Sequence, residues 1–229
     1  LYQVPDGTDI MLFPESNLEK IKYLPKSFKG FHLRRDPRDI IVSAYFSHKY
    51  SHSTKNAPKL QEHRKMLSSC NKEEGIKLEI AYSELYLPNL LNWDYSDPRI
   101  LELSFEELIA DTSGHLMKAL HHIGLIGSEK NPLYSFTALK NRLHAKYPVL
   151  KPFRSSMIQI PESRAKEIIE AFDFKNSSDG RKKGEEDITS HYRKGVAGDW
   201  KNHFTREHEQ MFYDKYPDIL QRLSYSCNS

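Results

Sequence analysis

The sequence predicts an α/β protein, a parallel β-sheet flanked by helices. Three observations carry that expectation. Residues 31–52, FHLRRDPRDIIVSAYFSHKYSH, run from a short apolar strand signal through two arginines and a proline turn into an amphipathic helix signal. Residues 99–108 repeat the order of strand feeding helix, which extends a sheet in parallel. The remaining segments carry apolar residues at helical spacing. At 229 residues, with 38% hydrophobic and 28% charged, the chain fits one globular domain, 1–229, with a sizeable core.

Taken in order, the first thirty residues open on turn formers, after which Ile10, Met11, Leu12 and Phe13 read as a buried strand ended by Pro14. Ligands sit beyond the carboxyl ends of strands in an open α/β sheet, so Glu15 stands where a catalytic group belongs. Phe31, His32 and Leu33 form the next strand signal, and Asp36 or Asp39 starts a helix with Ile40, Ile41, Val42, Ala44 and Tyr45 as its inward stripe. His48 and His52 follow at i, i+4, the spacing of a metal pair, but no third ligand is evident in the sequence, and they read as lining the pocket mouth or facing solvent. Residues 58–70, including His63, Arg64, Lys65 and Met66, are polar and basic and read as an exposed helix or lid. From Glu73 to Tyr95 the apolar spacing predicts a core helix broken around Pro88.

Arg99 to Leu103 is a second strand signal, and Ser104 with Glu107 makes a capping-box pattern at the start of a helix. Ser113 to Ile123 reads as a helix with Leu116, Met117, Leu120 and Ile123 inward and His115, His121 and His122 exposed. Tyr134 to Phe136 begins another. Pro161 to Phe174 places Ala165, Ile168, Ile169 and Phe172 on one apolar face. The next stretch, KNSSDGRKKGEED, is too charged to bury apolar surface and reads as a mobile loop or a surface linker. Phe204 to Leu223 closes the chain as a helical region with Phe212, Tyr216, Ile219 and Leu223 on the core.

Composition excludes several function classes. Thirty-four basic against 31 acidic residues leave a formal charge of +3, too small a bias for a nucleic-acid partner. No apolar run approaches a membrane helix and no signal-peptide pattern begins the chain, although residue 1 is leucine. The two cysteines, Cys70 and Cys227, lack metal-ligand spacing and read as free thiols, which fits a reducing cytoplasm.

Two segments carry chemistry. A strand, a basic turn and a helix together build an anion site, because the free N–H groups and positive dipole end of the first helical turn face the ligand. Arg35 adds a guanidinium fork and Ser43 a hydroxyl. Far along the chain, Arg193, Lys194, Gly195, Val196, Ala197, Gly198, Asp199, Trp200 and Lys201 form a second basic, glycine-containing cluster able to close on a charged group. Two anion elements so distant in sequence imply one divided pocket.

RDPRDIIVS, with its Arg35 to Ser43 spacing, and RKGVAGDWKNHFT resemble the 3′-phosphate-binding signatures of the sulfotransferases of the cytosolic and bacterial type that use 3′-phosphoadenosine 5′-phosphosulfate (PAPS). The resemblance runs, with gaps, from about Leu24 onward. It implies a P-loop nucleoside-kinase-like fold, a sulfuryl transfer from PAPS to a hydroxyl or amine of a small molecule, release of adenosine 3′,5′-bisphosphate (PAP), and no metal. By the same resemblance Arg35, Ser43, Arg193, Lys194 and Gly195 hold the 3′-phosphate. Phe105 lies near the adenine or packs in the core, and Phe136, in a segment SFTALKN similar to an adenine-proximal element, stacks on the base. The family carries a histidine or glutamate base after the strand preceding the Arg…Ser motif. No histidine precedes His32, so Glu15 is the expected base, a solvated loop carboxylate being the other reading.

The family's amino-terminal phosphosulfate loop, K-[ST]-G-T-T, is not found. Either this chain lacks the first strand and loop of the fold, or it is a degenerate relative; the intact nucleotide motifs favour the first. A module that binds PAP without transferring sulfate, and a P-loop nucleotide kinase, remain as alternatives. In the family's dimerisation pattern K-x-x-x-T-V-x-x-x-E, Lys201 and Thr205 match while Arg206 and Gln210 depart, so the oligomeric state stays open.

Overall fold

The computed structural model describes residues 10–13, 16–128 and 159–225, and between them positions 136, 139, 140, 143, 146 and 147. In chain order the elements are α1 (Leu18–Ile21), β1 (Gly30–Arg34), α2 (Pro37–Phe46) continued by a π-helical turn Ser47–Ser51, α3 (Pro58–Ser68), α4 (Lys72–Tyr82), α5 (Leu87–Leu91), β2 (Ile100–Ser104), α6 (Phe105–Ala110), α7 (Thr112–His122), β3 (Ile126–Gly127), β4 (Ile160–Pro161), α8 (Glu162–Ala171), α9 (Phe174–Ser177), α10 (Arg206–Lys215) and α11 (Ile219–Arg222). β1 pairs with β2, and β3 runs parallel to β4. The α/β class read from the sequence is the class observed, with short parallel sheets flanked by helices. The chain divides into two compact units, one of residues 1–32, 94–103 and 111–172, the other of 33–93, 104–110 and 173–229.

In the first unit His32 is buried on β1, with Nδ1 2.7 Å from Glu102 Oε2 and Nε2 2.7 Å from Ser16 Oγ. α7 and α8 pack through Met117, Ala165 and Ile169, with Leu116, Leu120, Ile126 and Ile160 against them. Three expectations need correction here. Residues 10–13 are not a strand, and Ile10 and Leu12 are exposed; a four-residue apolar run has no period of its own to distinguish a strand from a loop. Ile168 and Phe172 also face outward, because Ala165 and Ile169, one turn apart, already fill the contact with α7. His122 is half-buried rather than exposed, its Nε2 2.9 Å from the Arg99 carbonyl, and His115 is half-buried too.

The second unit is built on α2. Asp36 is its N-cap, accepting the Arg38 N–H at 2.9 Å, and Pro37 takes the first position, where no intrahelical N–H is needed. Ile41, Val42, Tyr45 and Phe46 are buried. α3 is not an exposed lid, since Leu60, His63 and Leu67 face inward; its polar surface residues hide an inward row at i, i+3 and i+7. The break in the helix after α4 falls at Ser83–Tyr86, ahead of Pro88, because proline has no N–H to return to the carbonyl four residues earlier. Ser104 Oγ accepts the Glu107 N–H at 3.1 Å and donates to Glu107 Oε2 at 3.0 Å, capping α6. Pro217 likewise separates α10 from α11, and Phe212, Tyr216, Ile219 and Leu223 are buried.

The charged stretch after α9 is fastened by polar bonds instead of apolar burial. The Arg181 guanidinium donates to the carbonyls of Glu185, Tyr192 and Arg193 and to Ser190 Oγ at 2.7–3.1 Å. One guanidinium with five N–H donors thus closes a segment that composition alone marks as loose. Among the described residues, no helix is long and apolar enough to cross a membrane.

Candidate functional site

Among the described residues, the hydrogen bonds that join the two basic segments lie in the second unit. Asp39, in the first turn of α2, accepts the Gly198 N–H at 2.6 Å and the Trp200 N–H at 2.9 Å. Burial lifts the Asp39 carboxyl above its ordinary range, against the pull of Arg35 and of those two N–H groups. Ser43 stands one turn beyond Asp39 and Phe46 almost one turn beyond Ser43, so the three share a face of α2. That face meets the basic cluster: the Arg193 guanidinium lies over the Phe46 ring at 4.5 Å. Arg38, fully buried, lies over the Trp200 ring at 3.9 Å and is bonded to Asp36 and to the Tyr213 hydroxyl.

Arg35 leaves β1 and lies over the Phe105 ring at 4.3 Å, with Nη2 donating to the Val196 carbonyl at 3.4 Å. Its buried Nε has no hydrogen-bond partner. Burial lowers the Arg35 pKa from its ordinary value; Asp39 and Glu106 oppose that, and the charge of Arg193 adds to it. Each guanidinium is stacked on its own aromatic ring, and the Arg35 bond to Val196 brings the first to the backbone of the second basic segment. A negative group beside Arg35 can satisfy the free Nε.

Carboxylates hold the second cluster in place. Arg193 and Lys194 each donate to Asp199 at 2.6 Å, Asn202 at 2.9 Å, and the second edge of Arg193 pairs with Glu186. Burial pushes Asp199 up, but these donors outweigh it and keep the carboxyl well below the usual carboxylate range. Burial holds His203, 3.1 Å from Asp199, below its own ordinary value. Asp199 is buried and Glu186 is exposed. An incoming anion therefore competes with Glu186 for Arg193, while Asp199 keeps Arg193 and Lys194 oriented.

Gly195 and Gly198 shape the turn between these side chains, with φ of +66° and +74°. A Cβ on Gly195 would also stand 2.5 Å from the Phe174 ring, whereas one on Gly198 would meet open space. Left-handed backbone and close approach both require glycine at position 195.

Of the residues expected from the sequence, Arg35, Ser43, Phe105, Arg193, Lys194 and Gly195 lie in one unit, and the contacts above join Arg35 to Phe105 and Arg193 to Lys194 and the α2 face. Phe136 belongs to the other unit, on an exposed helical position. Glu15 lies outside the described residues, as do the residues immediately around Phe136. Sequence reasoning missed the anchoring roles of Asp39 and Asp199. Their signal was present: each basic motif contains an acid, in RDPRD and in GDW, and an acid among clustered arginines is most economically used to position them.

Fold and site together define an α/β protein with a divided basic site, its halves supplied by a strand–helix junction and a glycine turn. A sulfotransferase domain model matches residues 17–223. The chain belongs to that sulfotransferase family. Human sulfotransferase 2A1 is 25% identical over 217 residues, covering 89% of this chain and 63% of its own length. Mouse sulfotransferase 2A2 is 26% identical over 189 residues, covering 80% and 53%. The chain thus spans less than two thirds of the length of these relatives. Among solved structures, mouse sulfotransferase SULT7A1 complexed with PAP is similar at 19% identity and a TM-score of 0.46, covering 86% of this chain and 63% of that one. Retinol dehydratase in complex with androsterone and inactive cofactor PAP aligns at 19% identity and a TM-score of 0.42, covering 87% and 50%.

Proposed function

We propose that the protein transfers the sulfuryl group of PAPS to a hydroxyl or amine of a small-molecule acceptor and releases PAP, as a single sulfotransferase domain working in the cytoplasm. The observation that carries this reading is the joining of the two basic segments: Arg35 donates to the Val196 carbonyl and Asp39 accepts the Gly198 and Trp200 N–H groups. The family match and the relatives named sulfotransferases support it. In this reading the 3′-phosphate of the nucleotide, a dianion suited to guanidinium forks, enters between Arg35 and Arg193, displaces Glu186, and is completed by Ser43, Lys194 and the Gly195 backbone. Phe105, already stacked on Arg35, fixes that guanidinium and borders the adenine.

Sulfuryl transfer demands in-line placement of donor and acceptor and a field that stabilises charge on the departing phosphate. Cationic side chains and helix-terminus N–H groups at the 5′-phosphate can supply such a field, so the reading calls for no metal in the transfer. The acceptor proton leaves as the new bond to sulfur forms, and Glu15 is the proposed base.

The test is incubation with PAPS carrying labelled sulfate and a panel of phenols, alcohols and amines. Label on an acceptor supports the transferase. Tight binding of PAP without transfer would replace it with a binding module, and magnesium-dependent use of ATP with a nucleotide kinase.

A further inference from the structure

Away from the basic site, three helical elements of the second unit each send one side chain to a common point. His48 comes from the π-helical turn, His63 from α3 and Glu79 from α4. His48 Nδ1 lies 3.0 and 3.1 Å from the two Glu79 oxygens, and His63 Nε2 lies 2.7 Å from Oε2. The three donor atoms all fall within 4.8 Å of one another. Glu79 and His63 are buried and His48 is nearly so. The exposed His52 ring lies edge-on to His48, 5.9 Å between centroids, and the two buried groups come from other helices through tertiary packing.

A fully buried carboxylate must be paired or coordinate a cation. Among the described residues no lysine or arginine forms an ion pair with Glu79; its hydrogen bonds come from two imidazoles and the Tyr86 hydroxyl, 2.9 Å away. The contrasting group is Glu186, Asp199 and His203, whose donor atoms cluster as closely. There Arg193 and Lys194 already neutralise the carboxylates, so no cation is missing. At Glu79 the charge is missing and the ligand types are right.

We propose that His48 Nδ1, His63 Nε2 and the Glu79 carboxylate form a binding site for a divalent metal of the zinc class, clamping the π-helical turn, α3 and α4 together. Two imidazoles and one carboxylate are a borderline donor set that suits zinc. Bonds of about 2 Å require donors about 3 to 4 Å apart, close to the separations found. The surroundings match those of a ligated site: Tyr86 donates to the ligating carboxylate, and the Tyr82 ring stacks on His63 at 3.9 Å and 8°, fixing its plane. The His48 side chain retains some exposure, which gives a metal its path inward and leaves a fourth position for water. The turn that carries His48 is a π-helix, a local form frequent at functional positions.

The test strips the full chain with a chelator and titrates it with zinc sulfate alone, counting bound metal by mass spectrometry and following the thermal midpoint. The expected result is one zinc per chain and a midpoint that rises with zinc. His48→Gln keeps an N–H for Glu79 while removing the ligand, at the least buried of the three positions, so its fold should survive. It and Glu79→Gln should bind zinc at least about tenfold more weakly, with a midpoint indifferent to the metal, while exposed His191→Gln behaves as the parent. A parent that takes up no zinc, or a folded His48→Gln that binds it as tightly as the parent, overturns the site and leaves the imidazole hydrogen bonds to Glu79 as a packing contact alone.

Discussion

The Asp39 carboxylate accepts the N–H of Gly198 at 2.6 Å across 159 positions of sequence. A helix residue beside the first basic motif thereby ties down the backbone of the second, and the same carboxylate takes the Trp200 N–H. Removing it should loosen the turn that carries Arg193. Asp39→Ala leaves the buried Trp200 N–H unsatisfied, at about 1 to 3 kcal/mol, and the part-buried Gly198 N–H unsatisfied at less. The expected outcome is a lower denaturant midpoint with unchanged m-value, together with weaker PAP binding in calorimetry.

Arg35→Ala and Arg193→Ala should each weaken PAP binding by about 1.5 to 3 kcal/mol, the scale of a charge-assisted hydrogen bond. Because both guanidiniums serve one anion, the double variant should lose less than the sum. Titration calorimetry of the four proteins checks this, and full additivity would separate the two arginines functionally.

Glu186 occupies one edge of Arg193 and is the carboxylate an anion must displace. Glu186→Gln should tighten PAP binding by a few-fold, matching the ~0–1 kcal/mol of an exposed ion pair. The gain should shrink at high salt, where such pairs are screened.

Asp199 sets a pH dependence. Its folded pKa lies below the unfolded value of about 4, so it stabilises the protein fully at pH above that value. The contribution falls away as the pH drops below about 4 toward the folded pKa. Acid unfolding of Asp199→Asn should therefore show a smaller loss of stability across that interval. At neutral pH the variant should be less stable by about 3 to 5 kcal/mol, the cost of breaking one side of a buried ion pair. Chemical denaturation at stepped pH measures both.

Two glycines separate strain from crowding. Gly198→Ala meets open space and should cost about 1 to 2 kcal/mol for a left-handed residue. Gly195→Ala meets the same strain and a ring atom at 2.5 Å, so it should cost clearly more and also weaken PAP binding. Thermal midpoints of the two variants give the comparison.

The sequence by itself determined the α/β class, the strand–turn–helix at Gly30–Phe46, the capped start of α6 and the membership of Arg35, Ser43, Arg193, Lys194 and Gly195 in two basic motifs. These are local facts, written in the period of apolar residues, in capping residues and in short spacings. Tertiary structure alone decided that Arg35 reaches Val196 in the second basic segment, that Asp39 and Asp199 are the anchors, that α3 turns His63 inward, and that His48 meets Glu79. Those outcomes depend on which faces of distant helices pack, and a buried carboxylate finds its partners only when burial removes water as the alternative.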